Sequence, residues 1–150
     1  MNLWSLHFRR SIQNEIMTFY EKELNRIRSI VYSNEGQINT VIGIRNYIEN
    51  NYDADLNLDL LSHSQFVSKY HLLRLFKKYY GLTPRQYLID KRIEKSKEHL
   101  INGMSVTETC FAVGFESLGS FSTLFKTKTG KSPTEFQKEQ LSRSKIDSEF

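Results

Sequence analysis

Between Ser68 and Arg85 the chain carries five basic side chains, Lys69, Arg74, Lys77, Lys78 and Arg85, and no acid. On a wheel of about 100° per residue, Lys69 to Tyr80 places Leu72, Leu75, Phe76 and Tyr79 on one stripe. Tyr70, Arg74 and Lys77 lie opposite, with Leu73 and Lys78 at the edges. That outer face has the chemistry of nucleic-acid contact. A guanidinium bonds guanine O6 and N7 together, a phenol packs on a thymine methyl or bonds phosphate, and an ammonium neutralises phosphate. A second acid-free stretch, Ser117 to Lys131, contains Lys126, Lys128 and Lys131. Its stripe is Phe121, Leu124 and Phe125, opposed by Gly119, Thr123 and Lys126. Two such patches fit a polyanion partner; a plain solvated helix face is the competing reading.

Other chemistry is poorly served. Asp53, Asp55, Asn57 and Asp59 alternate like the start of a calcium loop, but Leu58 stands where that loop needs Gly and Ser64 where it needs a bidentate Glu. Helix capping by Asn57 is the better reading. His7, His63, His71 and His99 show no ligand spacing, and the lone Cys110 excludes an internal disulfide and any zinc site of four cysteines or of two cysteines and two histidines. Cys110 is expected in a helix against the core, behaving as a small hydrophobe. With no phosphate-cradling Gly loop and no Ser/His/Asp arrangement, the expectation is no enzyme, no metal and no cofactor.

The elements that must position these faces follow from composition. The 150 residues suit one domain, and 39% hydrophobic content with 8 Tyr and 10 Phe allows a packed core. Only 2 Pro and 7 Gly favour helices over a many-stranded sandwich. No run approaches the roughly 18 apolar residues of a membrane span, and Met1 to Arg10 lacks the features of a signal peptide. A soluble, reduced, cytoplasmic, all-α protein with no membrane partner is expected.

Apolar positions Ile12, Ile16, Phe19, Tyr20, Leu24, Ile27, Ile30 and Val31 predict one amphipathic helix, ended by Ser33-Asn34-Glu35-Gly36. Val41 to Tyr52 predicts another, closing at Asn50-Asn51. Thr83-Pro84-Arg85-Gln86 is a capping-box helix start, and that helix runs to Ile101 before Asn102-Gly103. Its charges, Arg92 among Lys91, Lys95, Lys97, Asp90, Glu94 and Glu98, predict a solvated face with i,i+4 pairs. Ser105 with Glu108 and Ser132 with Glu135 form two further boxes, and the polar tail after Gln140 is expected to fray.

The most informative feature is an internal repeat. Ser68 to Tyr87 falls on Ser117 to Phe136 with Ser68/Ser117, Leu75/Leu124, Phe76/Phe125, Lys77/Lys126, Gly81/Gly130 and Pro84/Pro133 identical. Upstream the offset is one shorter, aligning Leu58 with Val106 and Ser62 with Cys110, so one residue is added near Gly114. Each unit reads as short helix, tight turn, longer helix, Gly stop: the helix-turn-helix pattern, whose second helix enters the major groove. Two units on one linker would address segments about 10 bp apart.

Leu72-Leu73-Arg74-Leu75-Phe76-Lys77, Gly81-Leu82-Thr83-Pro84 with Tyr87-Leu88, and Arg92-Ile93 resemble the first half of the AraC/XylS-type regulator DNA-binding module. Gly114-Phe115-Glu116-Ser117, Phe121-Ser122, Phe125-Lys126 and Gly130-Lys131-Ser132-Pro133 with Phe136 resemble its second, more diagnostic half. The resemblance covers about residues 41–138. It implies a seven-helix transcriptional regulator with two helix-turn-helix units, most often an activator that contacts RNA polymerase near promoters. Departures are Ser62 and Cys110 where the family prefers Ala, Thr109 where it has Ile or similar, His99 where it has Leu, and Thr123 where Arg is common. With Gly119 bare, the second reading helix is expected to supply mainly phosphate contacts, leaving base readout to Tyr70, Leu73 and Arg74.

The resulting expectation is an all-α chain of two helix-turn-helix subdomains joined by a linker helix and preceded by an amphipathic N-terminal helix. Residues 1–40 form the linker or dimerisation segment and 41–138 the AraC-type domain, with a first unit at 57–80, a linker helix at 84–101 and a second unit at 105–129; 139–150 is the tail. The candidate DNA-contacting residues are Ser68, Lys69, Tyr70, Leu73, Arg74, Lys77 and Lys78 in the first unit, and Ser117, Leu118, Gly119, Ser120, Thr123 and Lys126 in the second. Expected partners are double-stranded promoter DNA, RNA polymerase (implied by the resemblance) and a second copy through the N-terminal helix, although that helix could instead fold on its own module. Some 40 residues before the module are too few for an effector-binding barrel, so a stand-alone or truncated regulator without a small-molecule sensor is expected. The expected function is sequence-specific DNA-binding transcriptional regulation. The alternative is a protein-interaction module that keeps the geometry with only nonspecific DNA affinity.

Overall fold

The computed structural model describes the backbone of residues 3–147 and the side chains of 21–27 and 34–143. Among the described residues it is all-helical, with α1 (Leu3–Asn50), α2 (Leu58–Ser64), α3 (Lys69–Tyr80), α4 (Pro84–Ile101), α5 (Val106–Ala112), α6 (Leu118–Thr129) and α7 (Pro133–Asp147). The chain divides into two compact units, Met1–Thr40 and Val41–Phe150.

In the first unit, the expected stop at Ser33-Asn34-Glu35-Gly36 is absent, and α1 continues through it. Glycine inside a helix costs only about 1 kcal/mol relative to Ala, and no proline enforces a break. The Thr40 hydroxyl donates to the Gly36 carbonyl (2.9 Å), one turn back. Of the expected apolar stripe, the side chains of Ile12, Ile16, Phe19, Tyr20, Ile30 and Val31 lie outside the described residues, while Leu24 and Ile27 are exposed.

The second unit is built by local signals. Asn57 caps α2 by accepting from Leu60 N–H, and Ser68 caps α3 by accepting from His71 N–H. Thr83 with Gln86 closes the capping box of α4, Ser105 with Glu108 that of α5, and Ser132 exchanges bonds with Glu135 at the start of α7. Hydrogen bonds from Ser105 hold the Glu108 carboxyl below its ordinary range, as bonds from Ser132 do for Glu135. Gly81 and Gly130, both with positive φ, end α3 and α6.

Two cores flank α4. The first joins Val41, Ile44 and Ile48 of α1 to Leu61, Leu72, Leu75, Phe76 and Leu88; the second joins Ile93 and Leu100 to Cys110, Val113, Phe115, Phe121 and Phe125. Tyr52 packs against both. Truncating any buried Leu here to Ala costs about 2–5 kcal/mol. Tyr79, expected in the stripe of α3, is at the rim with the Lys78 ammonium 5.0 Å from its ring centre. Tyr80 takes the core place instead, with its ring 4.7 Å from Phe76 and 5.7 Å from Tyr87. The Tyr87 hydroxyl donates to Glu49 (2.5 Å), and burial together with that carboxylate pushes its pKa up. At the far end, the Gln137 amide donates to the carbonyls of Leu100 (3.1 Å) and Met104 (2.7 Å), satisfying the C-terminus of α4. The tail after Gln140 is not frayed in backbone as far as Asp147: α7 continues, supported by the Arg143–Glu139 pair (2.7 Å) one turn apart.

Candidate nucleic-acid interface

Each of α2–α3 and α5–α6 is a short helix, a tight turn and a longer helix, and the turns share two equivalent backbone hydrogen bonds. Val67 N–H donates to Ser62 O (3.1 Å) and Phe115 N–H to Cys110 O (3.0 Å). Phe66 N–H donates to His63 O (3.2 Å) and Gly114 N–H to Phe111 O (3.0 Å). Phe66 is therefore the counterpart of Gly114, and the residue added in the second unit is Glu116, two positions beyond the turn glycine.

On α3 the cap Ser68 is exposed, and the Lys69 ammonium is ion-paired with Asp59 of α2. Tyr70 is 77% exposed. Arg74, Lys77 and Lys78 are exposed, with one Arg74 Nη 3.4 Å from His71 Nδ1, and Leu73 is half-buried at the edge. One face of α3 thus offers a phenol, a guanidinium and two ammonium groups. That exposed face follows from the 3.6-residue period, since Leu72, Leu75 and Phe76 are buried on the other side.

The corresponding face of α6 is chemically plainer. Ser117 caps it, accepting from Ser120 N–H (3.3 Å), and Leu118, Gly119, Ser120, Thr123 and Lys126 are all exposed. A Cβ at Gly119 would meet only Ser117 Oγ, at 3.7 Å, so packing does not require a glycine there. Lys128 turns away from this face to pair with Asp90 of α4 (2.7 Å). Beside the second turn, against Leu58, Leu61 and Leu73 of the first helix-turn-helix unit, lies an open cleft of ≈ 980 Å³, walled also by Arg85, Arg92, Phe111, Glu116 and Ser120.

One residue of this region is unlike its sequence reading, and another carries no sequence signal. Arg92, expected on a solvated charged face, is half-buried and reaches from α4 to the carbonyls of Tyr52 (Nε, 2.7 Å) and Ala54 (Nη2, 2.8 Å). Its guanidinium also lies 5.5 Å from the centre of the Phe115 ring. Burial lowers its pKa, against the opposing pull of Asp55, Asp53 and Glu116. The carbonyls of a non-helical loop need donors, and no side-chain pattern announces that need. The surface pairs on α4 are Lys91–Glu94 and Lys95–Glu98, three residues apart and not four. Phe66 has a φ of 53° and is 98% exposed, a left-handed conformation for a bulky side chain in solvent.

Thr109 and Cys110 are buried on α5, and burial pushes the Cys110 thiol pKa up. The Thr109 hydroxyl has no hydrogen-bond partner among the described residues, a cost at a core position. Among the described residues no cluster of three or more His, Cys, Asp or Glu could hold a metal ion. No helix there is long and apolar enough to cross a membrane.

The helix-turn-helix domain family matches residues 61–139. The chain is 40% identical over 92 residues, 61% of its length and 55% of the relative's, to an uncharacterized HTH-type transcriptional regulator from the cgkA 5' region of Pseudoalteromonas carrageenovora. Among solved structures it is similar to a transcriptional regulator with an AraC-type DNA-binding domain from Chromobacterium violaceum, at 25% identity and TM-score 0.65, covering 71% of this chain and 96% of that one. The DNA-binding domain of AdpA, a global transcriptional factor solved in complex with a target DNA, shares the fold at 21% identity and TM-score 0.66, covering 69% and 94%. The chain spans about half the length of the curated relatives it matches.

Proposed function

The chain belongs to the AraC-type helix-turn-helix family of transcriptional regulators, and from that premise we propose that it reads a specific promoter sequence through two successive major-groove segments and activates transcription there. In this reading Tyr70, Leu73 and Arg74 contact base edges. Lys77, Lys78 and Lys126 neutralise phosphates, and the N-terminal ends of α3 and α6, with Ser68, Lys69, Ser117, Leu118, Gly119, Ser120 and Thr123, meet the backbone and groove walls. Residues 41–138 are the DNA-binding module, and 1–40 serve as a linker or dimerisation segment. Activation through RNA polymerase contact is carried by the family resemblance alone.

The observation that supports this reading is the outward face of α3, where Tyr70, Arg74, Lys77 and Lys78 stand exposed on a helix whose other side is locked into the core. A second reading, a protein-interaction module with only nonspecific DNA affinity, is favoured by the bare Gly119 and the Thr123 of α6. Binding titrations against a pool of duplexes over a range of salt separate the two. Lys77→Ala is expected to weaken every duplex alike and to lower the slope of log affinity against log salt by about one. An unaltered slope removes Lys77 from the phosphate-contacting set.

A further inference from the structure

We propose that Arg92 is a positioning residue that sets the separation and phase of the two reading helices, by clamping the loop after α1 onto the turn of the second helix-turn-helix unit. Three contacts converge on it. Its Nε and Nη2 hold the carbonyls of Tyr52 and Ala54, at 2.7 and 2.8 Å, in the loop that leads from α1 into α2. The same guanidinium faces the ring of Phe115, just past the turn between α5 and α6. Gly114 completes the joint: a Cβ there would lie 2.5 Å from the Asp53 carbonyl oxygen and 2.9 Å from Arg92 Nη2. The backbone of the second turn is therefore pressed against the loop of the first unit, with Arg92 behind it.

Without this clamp the units would still be joined by α4, which contributes Leu88 to one core and Ile93 and Leu100 to the other. A single helix resists bending but leaves the second unit a small rotation about its own packing. Successive base pairs are only about 3.4 Å apart, so a shift of that size at α6 changes which base pair it faces. Tyr52, packed on both cores, and the Lys128–Asp90 pair add to the joint. Arg92 alone bonds the loop backbone and faces the second turn with one rigid group.

The inference deepens the proposed two-segment reading, and it is tested first without DNA. Cysteines replacing Lys77 and Lys126 carry spin labels, with the fully buried Cys110 left in place, and the label-to-label distance distribution is measured below the melting temperature. A single narrow distribution is expected for the parent chain and a broadened or displaced one for Arg92→Ala. Arg92→Lys, which keeps a cation but can hold one carbonyl in place of two, should fall between. If Arg92→Ala does not fold, Arg92→Lys decides by the same criterion. Distributions identical to the parent overturn the proposal. In selections from random duplex DNA, the Arg92 variants are expected to keep the parent's box preferred by α3 while tolerating separations one base pair longer or shorter. Unchanged separations count against the proposal. A parent chain that enriches no second box defeats the two-segment reading and leaves the label distances to judge the clamp.

Discussion

The two helix-turn-helix units share a backbone and differ in what they hang on it. Both turn through a left-handed residue after the short helix, at Phe66 in the first and Gly114 in the second, with φ of 53° and 87°. In the first unit the turn faces solvent, so a phenylalanine fits sterically and bears only the conformational cost. In the second the turn is wedged against the Asp53 carbonyl, and no side chain fits. The longer helices differ in the opposite sense: α3 is crowded with functional groups, and the first turns of α6 are nearly bare. The repeat thus duplicates scaffold, while packing demands and surface chemistry have been divided unequally between the copies.

The comparison can be broken hardest at the turns. Gly114→Ala combines a left-handed non-glycine residue with a collision against backbone, and should destabilise the fold by on the order of 3 kcal/mol, read from denaturant melts. A loss below 1 kcal/mol would mean the wedge relaxes freely. At the reading helices, Arg74→Ala should cost about 1–3 kcal/mol of affinity for the preferred site and relax selectivity at one base. Thr123→Ala, at a contact to backbone or groove wall, should lose much less affinity and leave base selectivity unchanged; equal losses from both would erase the asymmetry between α3 and α6. At the first turn a change of opposite sign is expected, where Phe66→Gly should raise the melting midpoint by the equivalent of about 1 kcal/mol. A loss of stability there would show that the exposed ring is held by the fold.

Much of this was legible in the sequence because the signals are local. A cap needs a side chain three residues from the N–H it satisfies, so Thr83 with Gln86, Ser105 with Glu108 and Ser132 with Glu135 mark helix starts directly. The limits of α4 and the buried Cys110 were readable for the same reason. The exposure of Tyr70, Arg74 and Lys77 follows from helical period alone. What was not legible depends on distant backbone. Arg92 bonds carbonyls 38 and 40 residues away, which no charge pattern on α4 reveals. Continuity of α1 through Gly36 was hidden because glycine weakens a helix without ending it. The exchange of Tyr79 for Tyr80 in the core turns on which of two adjacent aromatics meets Phe76 and Tyr87. The left-handed Phe66 carries no residue-type signal at all, and only its pairing with Gly114 across the repeat points to it.

The most direct test of the central claim, that two structurally matched units read DNA with unequal chemistry, is selection of bound sites from random duplex DNA at two salt concentrations. The account predicts one strongly specified box, lost in Arg74→Ala, and a second, weaker one about 10 bp away. No enrichment, with binding lost as salt rises, would contradict it and leave a nonspecific basic surface on an interaction module.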